Sequence, residues 1–396
     1  MADATPNDEQ PIAQSSDHKA WQVATIAFAA TRIPLAIFAW LIARYRPHEL
    51  RPGHFLLHGG EAHANWLVNA FQRWDAYWFL NIVREGYRFF GVVEQVHNVR
   101  AGLPETNVTP FPLYPLLMEV GSWATGDPSS AGLVISNVCF FFSLVYLFKL
   151  AALEMDERRA TIAVWFFAVV PWTYAFSAIY SESLFFLLLV GAMYAVRKGY
   201  IFWAGVLGML ASLTRLPGVF IAIPIGWEIA TRYKWRIPDL IKKGWPVLLV
   251  PAGTLGYFAY LWHLTGHPNA YFIGQQGWHK EFVMPWYHLG VWFREGMDPE
   301  AWMDATVTMI GIALLAFGYK KMRTSYWLYA LASFLMLMCS SYLLGLPRYL
   351  SAIFPVYFVL AELFERYPAW ARGLSYGFAV GAPVVFFVWT TWSYAF

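Results

Sequence analysis

Charge is scarce in this sequence: only 13% of its 396 residues are Asp, Glu, Lys or Arg, about half of what a soluble domain carries. The few charges nearly balance, at a formal net charge of +3, so there is no basic footprint for nucleic acid and that partner is set aside. Cysteine is scarcer still. Cys139 and Cys339 each sit inside an apolar stretch, which excludes a disulfide framework or a thiolate metal site and leaves both as packing residues. An internal repeat is also lacking between the two halves.

What is there instead is apolar: 58% of the chain is hydrophobic and 19% aromatic, more than a soluble fold of this length can bury. Apolar segments run about Trp21 to Ala43, Ala131 to Leu150, Ala160 to Ala178, Leu184 to Val196, Ile201 to Leu213 and Val219 to Ala230. Others run about Trp245 to His263, Ala305 to Tyr319, Tyr326 to Leu344, Ala352 to Leu363 and Leu374 to Trp392. That predicts an all-α polytopic membrane protein of about eleven membrane segments, several shorter than the ~20 residues of a full span. The polar residues 1–20 read as a cytoplasmic tail. The apolar segment after them is too long for a signal-peptide core and lacks a cleavage site, so it is expected to stay as the first span. Residues 21–396 then form one transmembrane domain, with a first outer loop at about 44–130 and a second at about 265–304.

Thr214-Arg215-Leu216-Pro217-Gly218 interrupts the stretch from Ile201 to Ala230. Were it one helix, the basic linker Arg232, Lys234, Arg236, Lys242 and Lys243 would face away from the cytoplasm, against the positive-inside rule, so two short segments are expected to meet at Arg215. The same parity places Arg158, Arg159, Arg197, Lys198, Lys320, Lys321, Arg323, Arg366 and Arg372 on the cytoplasmic side. It sends Asp75, Glu182, Arg215, Lys280 and Arg348 to the outer side. Short broken segments ending in charge are tolerated only where they line protein or water, which predicts one polar cavity opening outward.

Asp75 lies within an aromatic run, Arg73-Trp74-Asp75-Ala76-Tyr77-Trp78. Read as a helix, Phe71, Asp75, Trp78 and Ile82 share one face, so a carboxylate occupies an apolar slot at a cost of several kcal/mol unless it is paired. Arg73 projects to the opposite side. Further on, the three prolines of Thr109-Pro110-Phe111-Pro112-Leu113-Tyr114-Pro115 forbid a regular helix through that motif, although Leu116 to Ala124 suits the membrane interface. The second loop carries Gln275-Gln276-Gly277-Trp278-His279-Lys280.

The ordered set resembles the PIG-V (GPI mannosyltransferase 2) family, within the GT-C superfamily of polytopic glycosyltransferases, in its prokaryotic form. The motifs are Trp74-Asp75 with Ile82, Gly86 and Tyr87; Phe111-Pro112-Leu113-Tyr114-Pro115; Tyr180-Ser181-Glu182-Ser183; Leu213-Thr214-Arg215; Thr265-Gly266 with Pro268; Gln275 with Trp278; and Pro347-Arg348-Tyr349. Lys280 stands where the pattern has arginine, and Leu216 follows Arg215 where it turns to proline or a small residue. The resemblance implies a GT-C-type fold and an inverting transfer of a sugar, with mannose preferred, from a polyprenyl-phosphate donor to a glycolipid or glycan acceptor. It places the chain among membrane lipids, in a bacterial inner membrane or the endoplasmic reticulum membrane, with the chemistry on the periplasmic or lumenal face. No cofactor is implied, and a divalent metal is left open.

Those tasks suit the residues. An acceptor hydroxyl needs a general base, for which Asp75 is the candidate and Glu182 the alternative. A departing lipid phosphate needs cations, for which Arg215, Arg348 and Lys280 are the candidates. Trp74, Trp78, Tyr114, Tyr180, Gln275, Trp278 and Tyr349 offer aromatic and polar lining for a sugar and a prenyl chain. Each has a blander rival. Asp75 suits a structural salt bridge; Glu182 suits a helix cap or an arginine partner; the arginines suit head-group snorkelling. His54, His58, Glu61 and His63 look metal-like, but Gly59-Gly60 breaks any helix that would align them. The Trp and Tyr excess also fits an interfacial belt. The rival classes are a transporter or flippase of a lipid-linked sugar, which favours midplane charges and repeat symmetry, and a purely structural membrane subunit.

Overall fold

The computed structural model describes residues 10–46, 63–92, 104–278, 280–296, 298–343 and 345–391. Its first helix, α1 (Gln10–Tyr45), already includes residues 10–20 of the expected tail. The long first loop carries α2 (Trp66–Phe71), α3 (Ala76–Glu85), β1 (Phe89–Val92), β2 (Pro104–Thr106) and α4 (Leu113–Thr125). There follow α5 (Pro128–Ala151), α6 (Glu157–Val169), α7 (Glu182–Lys198), α8 (Ile201–Ser212), α9 (Ala222–Arg232), α10 (Ile237–Gly244) and α11 (Leu249–Thr265). The second loop holds α12 (Ala270–Gln276) and α13 (Tyr287–Glu295), and the chain continues through α14 (Pro299–Gly318), α15 (Thr324–Met338), α16 (Leu346–Ser351), α17 (Pro355–Arg366) and α18 (Pro368–Thr390).

Each apolar segment read from the sequence coincides with a helix: α1, α5, α6, α7, α8, α9, α11, α14, α15, α17 and α18. Among the described residues, five stretches are long and apolar enough to cross a membrane, namely Asp17–Tyr45, Pro128–Ala151, Ile237–Thr265, Ala301–Gly318 and Pro368–Thr390. The chain is an integral membrane protein of helical, polytopic architecture. One departure from an all-α reading is the antiparallel pair β1 and β2, in which Phe89 lies opposite Thr106 and Val92 opposite Pro104.

The helix boundaries follow from local chemistry. Asp127, Asp156 and Asp298 cap α5, α6 and α14 by accepting the N–H of Ser130, Arg159 and Ala301, and Pro128 and Pro299 open two of these helices where no N–H is needed. The break between α8 and α9 is real. A 3-10 turn, Leu216–Ile221, separates them, and Arg215 immediately before it is extended at φ −157°. Gly218 packs against the Ala211 carbonyl with no room for a Cβ, so the chain folds back tightly there. Leu213 O, at the break, accepts the N–H of Leu113 at 3.0 Å, which ties the proline motif of the first loop to this point.

The core is a cluster of rings joining α5, α6, α7 and α17, with Phe167 stacked on Phe186 at 4.0 Å and Tyr357 5.0 Å from Phe167. A smaller cluster of Val108, Phe111, Tyr257, Leu261, Ala270 and Tyr271 seats the first loop on α11 and α12. The two ends of α7 differ in function. Near its C-terminal end Arg197 pairs with Glu154 and approaches Glu228 at 3.6 Å, while Arg323 holds the same Glu228 at 2.6 Å. At its N-terminal end stands Glu182, about 22 Å away at 1.5 Å per residue.

Candidate active site

Asp75 is not inside a helix. The expected face of Phe71, Asp75, Trp78 and Ile82 does not form, because α2 ends at Phe71 and α3 begins only at Ala76, with Asp75 directly before it. The cause is Trp74, whose φ of +49° lies in the left-handed region that bulky residues rarely enter. Asp75 makes no capping bond to the helix it precedes. Its carboxylate turns to Arg348 instead, with Oδ2 2.9 Å from Nη2.

Arg348 and Tyr349 lie on α16, the short helix that follows Gly345, whose φ is +79°. The guanidinium of Arg348 donates through Nη2 to the Tyr349 hydroxyl at 3.1 Å, and its Nε lies 3.5 Å from Glu182 Oε1. The same Glu182 oxygen pairs with Arg215 Nη1 at 2.8 Å, and Nη1 also donates to Ser181 Oγ at 3.3 Å. Lys280 arrives from the second loop, which Val283 N and Ser341 N stitch to the end of α15 through the carbonyls of Cys339 and Glu281, each at 2.9 Å. Three cations thus surround one ring: Arg348 Cζ at 5.0 Å, Arg215 Cζ at 5.2 Å and Lys280 Nζ at 5.2 Å from the Tyr349 centroid. Burial pushes the Tyr349 phenol up, but Lys280, Arg348 and Arg215 outweigh it and hold the phenol below its ordinary value.

The two carboxylates differ. Glu182 is 2% exposed and bridges two arginines, whereas the Asp75 side chain is 40% exposed and meets one of them. The five charged residues expected to share one compartment are therefore brought to one place. Tyr180 joins them, with Arg348 Cζ 5.0 Å above its ring. Trp78 and Trp278 form an edge-to-face pair at 5.3 Å beside the Asp75 turn. Gln275 donates to the Tyr271 hydroxyl at 2.9 Å, and its carbonyl accepts Lys280 N at 3.1 Å, so it supports the loop carrying Lys280.

Two of the expected lining residues are structural. Tyr114 is fully buried, its hydroxyl bonded to Gly132 O at 3.0 Å and to Ser136 Oγ at 2.8 Å and its ring set edge-on to Phe79, so it belongs to the core and not to a substrate surface. Trp74 gives its indole N–H to Trp389 O at 3.2 Å. Arg73 is fully buried and donates to Thr390 O at 3.0 Å. His54, His58 and Glu61 lie outside the described residues. His63 sits 3.4 Å from Asp127, and no group of three or more His, Cys, Asp or Glu gathers among the described residues. Trp389 is a contact residue of the site that the sequence did not single out, and Ser181 is one named only within the Tyr180-Ser181-Glu182-Ser183 motif, without a role of its own. Trp389 is camouflaged by the aromatic end of an apolar segment, and only the neighbouring Glu182 marks Ser181.

The helical bundle, its broken segments and the charged cluster at their ends define a polytopic helical membrane protein. ArnT from Cupriavidus metallidurans bound to undecaprenyl phosphate shares this fold at a TM-score of 0.50 and 15% identity, over 92% of this chain and 64% of that one. The apo state of the same ArnT gives 0.47 at 14% identity over 93% and 74%. The archaeal oligosaccharyltransferase AglB from Archaeoglobus fulgidus, in complex with an inhibitory peptide and a dolichol-phosphate, gives 0.45 at 13% identity over 95% and 56%. The chain spans 64% of the length of the first of these. No curated protein matches the sequence. Residues 59–222, less than half of the chain, match the family model Mannosyltransferase (PIG-V).

Proposed function

We propose that this protein transfers mannose from a polyprenyl-phosphate donor to a hydroxyl of a glycolipid or extracytoplasmic glycan, with inversion, at the cluster around Tyr349. The observation that carries the reading is the pairing of three cations on one ring with two carboxylates of unequal exposure. A polyprenyl phosphate is an anion that must leave, and charge-assisted contacts to it strengthen where water is excluded. Arg348 Nε is buried and has no hydrogen-bond acceptor among the described residues, which suits a phosphate oxygen arriving beside it. The family match and the undecaprenyl phosphate bound by ArnT point to the same donor class.

In this reading Asp75, the more exposed carboxylate, takes the proton of the acceptor hydroxyl as that oxygen bonds to the anomeric carbon. The bond from that carbon to the phosphate oxygen breaks on the opposite face, and the polyprenyl phosphate departs with the electron pair, held by Arg215, Arg348 and Lys280. Glu182 positions both arginines. Trp78 and Trp278 offer ring faces to the sugar. The cluster faces the periplasm or lumen, because the basic linkers counted above belong to the other side.

The test is incubation of the purified protein in lipid nanodiscs with polyprenyl-phosphate mannose and a glycan acceptor, with released polyprenyl phosphate measured. The transferase releases it in step with glycan product. Translocation of intact donor with none released would establish a flippase instead.

A further inference from the structure

The C-terminal end of α18 touches both carboxylate-bearing segments of the site, although it contributes no charge to it. The last turn of a helix leaves carbonyl oxygens without partners inside the helix. Here two of them are taken by the turn before α3: Thr390 O accepts Arg73 Nε at 3.0 Å, and Trp389 O accepts Trp74 Nε1 at 3.2 Å. A guanidinium at the negative end of a helix is also favourably placed electrostatically. Arg73 reaches from there to the carbonyls of Asn69 and Gln72, the latter at 2.8 Å, so one buried side chain pins α2, the turn and α18.

The indole of Trp389 reaches the other way. Its Nε1 donates to the Tyr180 hydroxyl at 3.2 Å, while its ring packs on Tyr174 at 4.7 Å and stands perpendicular to Tyr180. Tyr180 lies under Arg348, and Arg348 holds Asp75. Asp75 follows Trp74 in the chain, and Trp74 returns to Trp389. The contacts close a ring of Trp389, Tyr180, Arg348, Asp75 and Trp74. Trp389, Thr390, Arg73 and Tyr180 are at most 3% exposed, so the Arg73–Thr390 and Trp389–Tyr180 bonds are shielded from water. Ile179 N adds a backbone bond to Phe71 O at 3.2 Å, joining the same two segments directly.

We infer that Trp389 is a positioning residue, which fixes the Asp75 turn and the Tyr180–Glu182 segment against each other through the end of α18. The left-handed conformation of Trp74 fits this role. A bulky residue with positive φ persists only where its surroundings over-determine it, and the bond from its indole to Trp389 O is one such constraint. Transfer chemistry is sensitive to placement at the scale of an ångström, so loosening this joint costs turnover before it costs binding.

The inference rests on the transferase reading for its kinetic arm only, and a second arm needs no activity. Trp389→Phe keeps a ring against Tyr174 and removes the indole N–H; Tyr180→Phe removes the other partner of the same bond. In amide hydrogen exchange of the full chain in nanodiscs, either variant should exchange about tenfold faster at residues 71–77 and 178–182, with the rest of the protein unchanged. In turnover, each should fall by roughly tenfold at unchanged donor KM, and the double variant should fall no further than either single one, since both remove one bond. Unchanged exchange in both segments would overturn the inference. Uniformly faster exchange throughout would overturn it too, by making Trp389 a general packing residue. If the wild-type chain transfers no sugar, the proposed function falls while the exchange result still decides this one.

Discussion

Arg348 Nη2 is shared between Asp75 Oδ2 at 2.9 Å and the Tyr349 hydroxyl at 3.1 Å. The proposed base is therefore bound to a proposed phosphate ligand. A phosphate arriving at Arg348 competes with this carboxylate for the guanidinium. Donor binding would then free the base, which orders the two substrates.

That competition predicts an unusual pairing of effects in Asp75→Asn. Affinity for polyprenyl phosphate, measured by isothermal titration in nanodiscs, should tighten by up to about fivefold, because the competing carboxylate is half-exposed and its pair is of modest strength. Turnover per folded molecule should collapse by about 10²- to 10⁴-fold, the usual loss with a general base. A structural salt bridge predicts the reverse: less folded protein, weaker binding and preserved turnover in what remains.

The second prediction concerns Tyr349. Its phenol lies below its ordinary value because Lys280, Arg348 and Arg215 favour the phenolate more than burial opposes it. As pH rises it should ionise ahead of an ordinary tyrosine, and the phenolate, being stabilised in the folded state, adds stability that is full above the ordinary phenol value and is lost as pH falls through the lowered one. Ultraviolet difference titration should show one early step that Tyr349→Phe removes. Persistence of that step in the variant would assign it to another phenol.

Much of this architecture was legible in the sequence for one reason: charge in an apolar chain is costly, so the few charges that persist mark places where the fold compensates for them. Glu182, Arg215, Lys280 and Arg348 were found that way, and the Arg215 break followed from the placement of the basic linkers. The Asp75 turn was misread because helical spacing carries no sign of a left-handed Trp74. Tyr114 was misread because a tyrosine that fills the core and one that faces a substrate look alike until its hydroxyl partners are seen. Strands as short as Phe89–Val92 and Pro104–Thr106 give no usable alternation. Trp389 could not be told from an interfacial aromatic.

The third prediction separates charge from shape at Arg215. Arg215→Ala should weaken donor use by about one to two decades, since a charge-assisted contact contributes roughly 1.5–3 kcal/mol. Arg215→Lys should recover only part of this, because a compact ammonium replaces a planar guanidinium whose Nη1 meets both Glu182 and Ser181 and whose other donors remain for a phosphate. The measurement is donor KM and turnover, with folded yield as the control. Unchanged donor kinetics in Arg215→Ala would assign this arginine to anchoring alone.

The last prediction distinguishes the two carboxylates. Glu182 is 2% exposed and its Oε1 faces both Arg215 and Arg348, so Glu182→Gln leaves two part-buried guanidinium groups without their shared counter-charge. Removing one member of a buried ionic group typically costs about 3–5 kcal/mol, so the variant should unfold at lower temperature and yield less protein in the membrane. The surviving molecules should bind polyprenyl phosphate with altered affinity, because the arginines that receive it have lost the group that aims them. Asp75→Asn should leave stability and yield intact: it removes one half-exposed carboxylate, keeps a side chain of the same shape, and acts on proton transfer beside the modest tightening of donor binding. The decisive comparison is thermal stability beside turnover per folded molecule in both variants. If Glu182→Gln were stable yet lost turnover by more than about 10²-fold, while Asp75→Asn kept more than about a tenth of it, the base would be Glu182 and the Asp75–Arg348 pair would be structural.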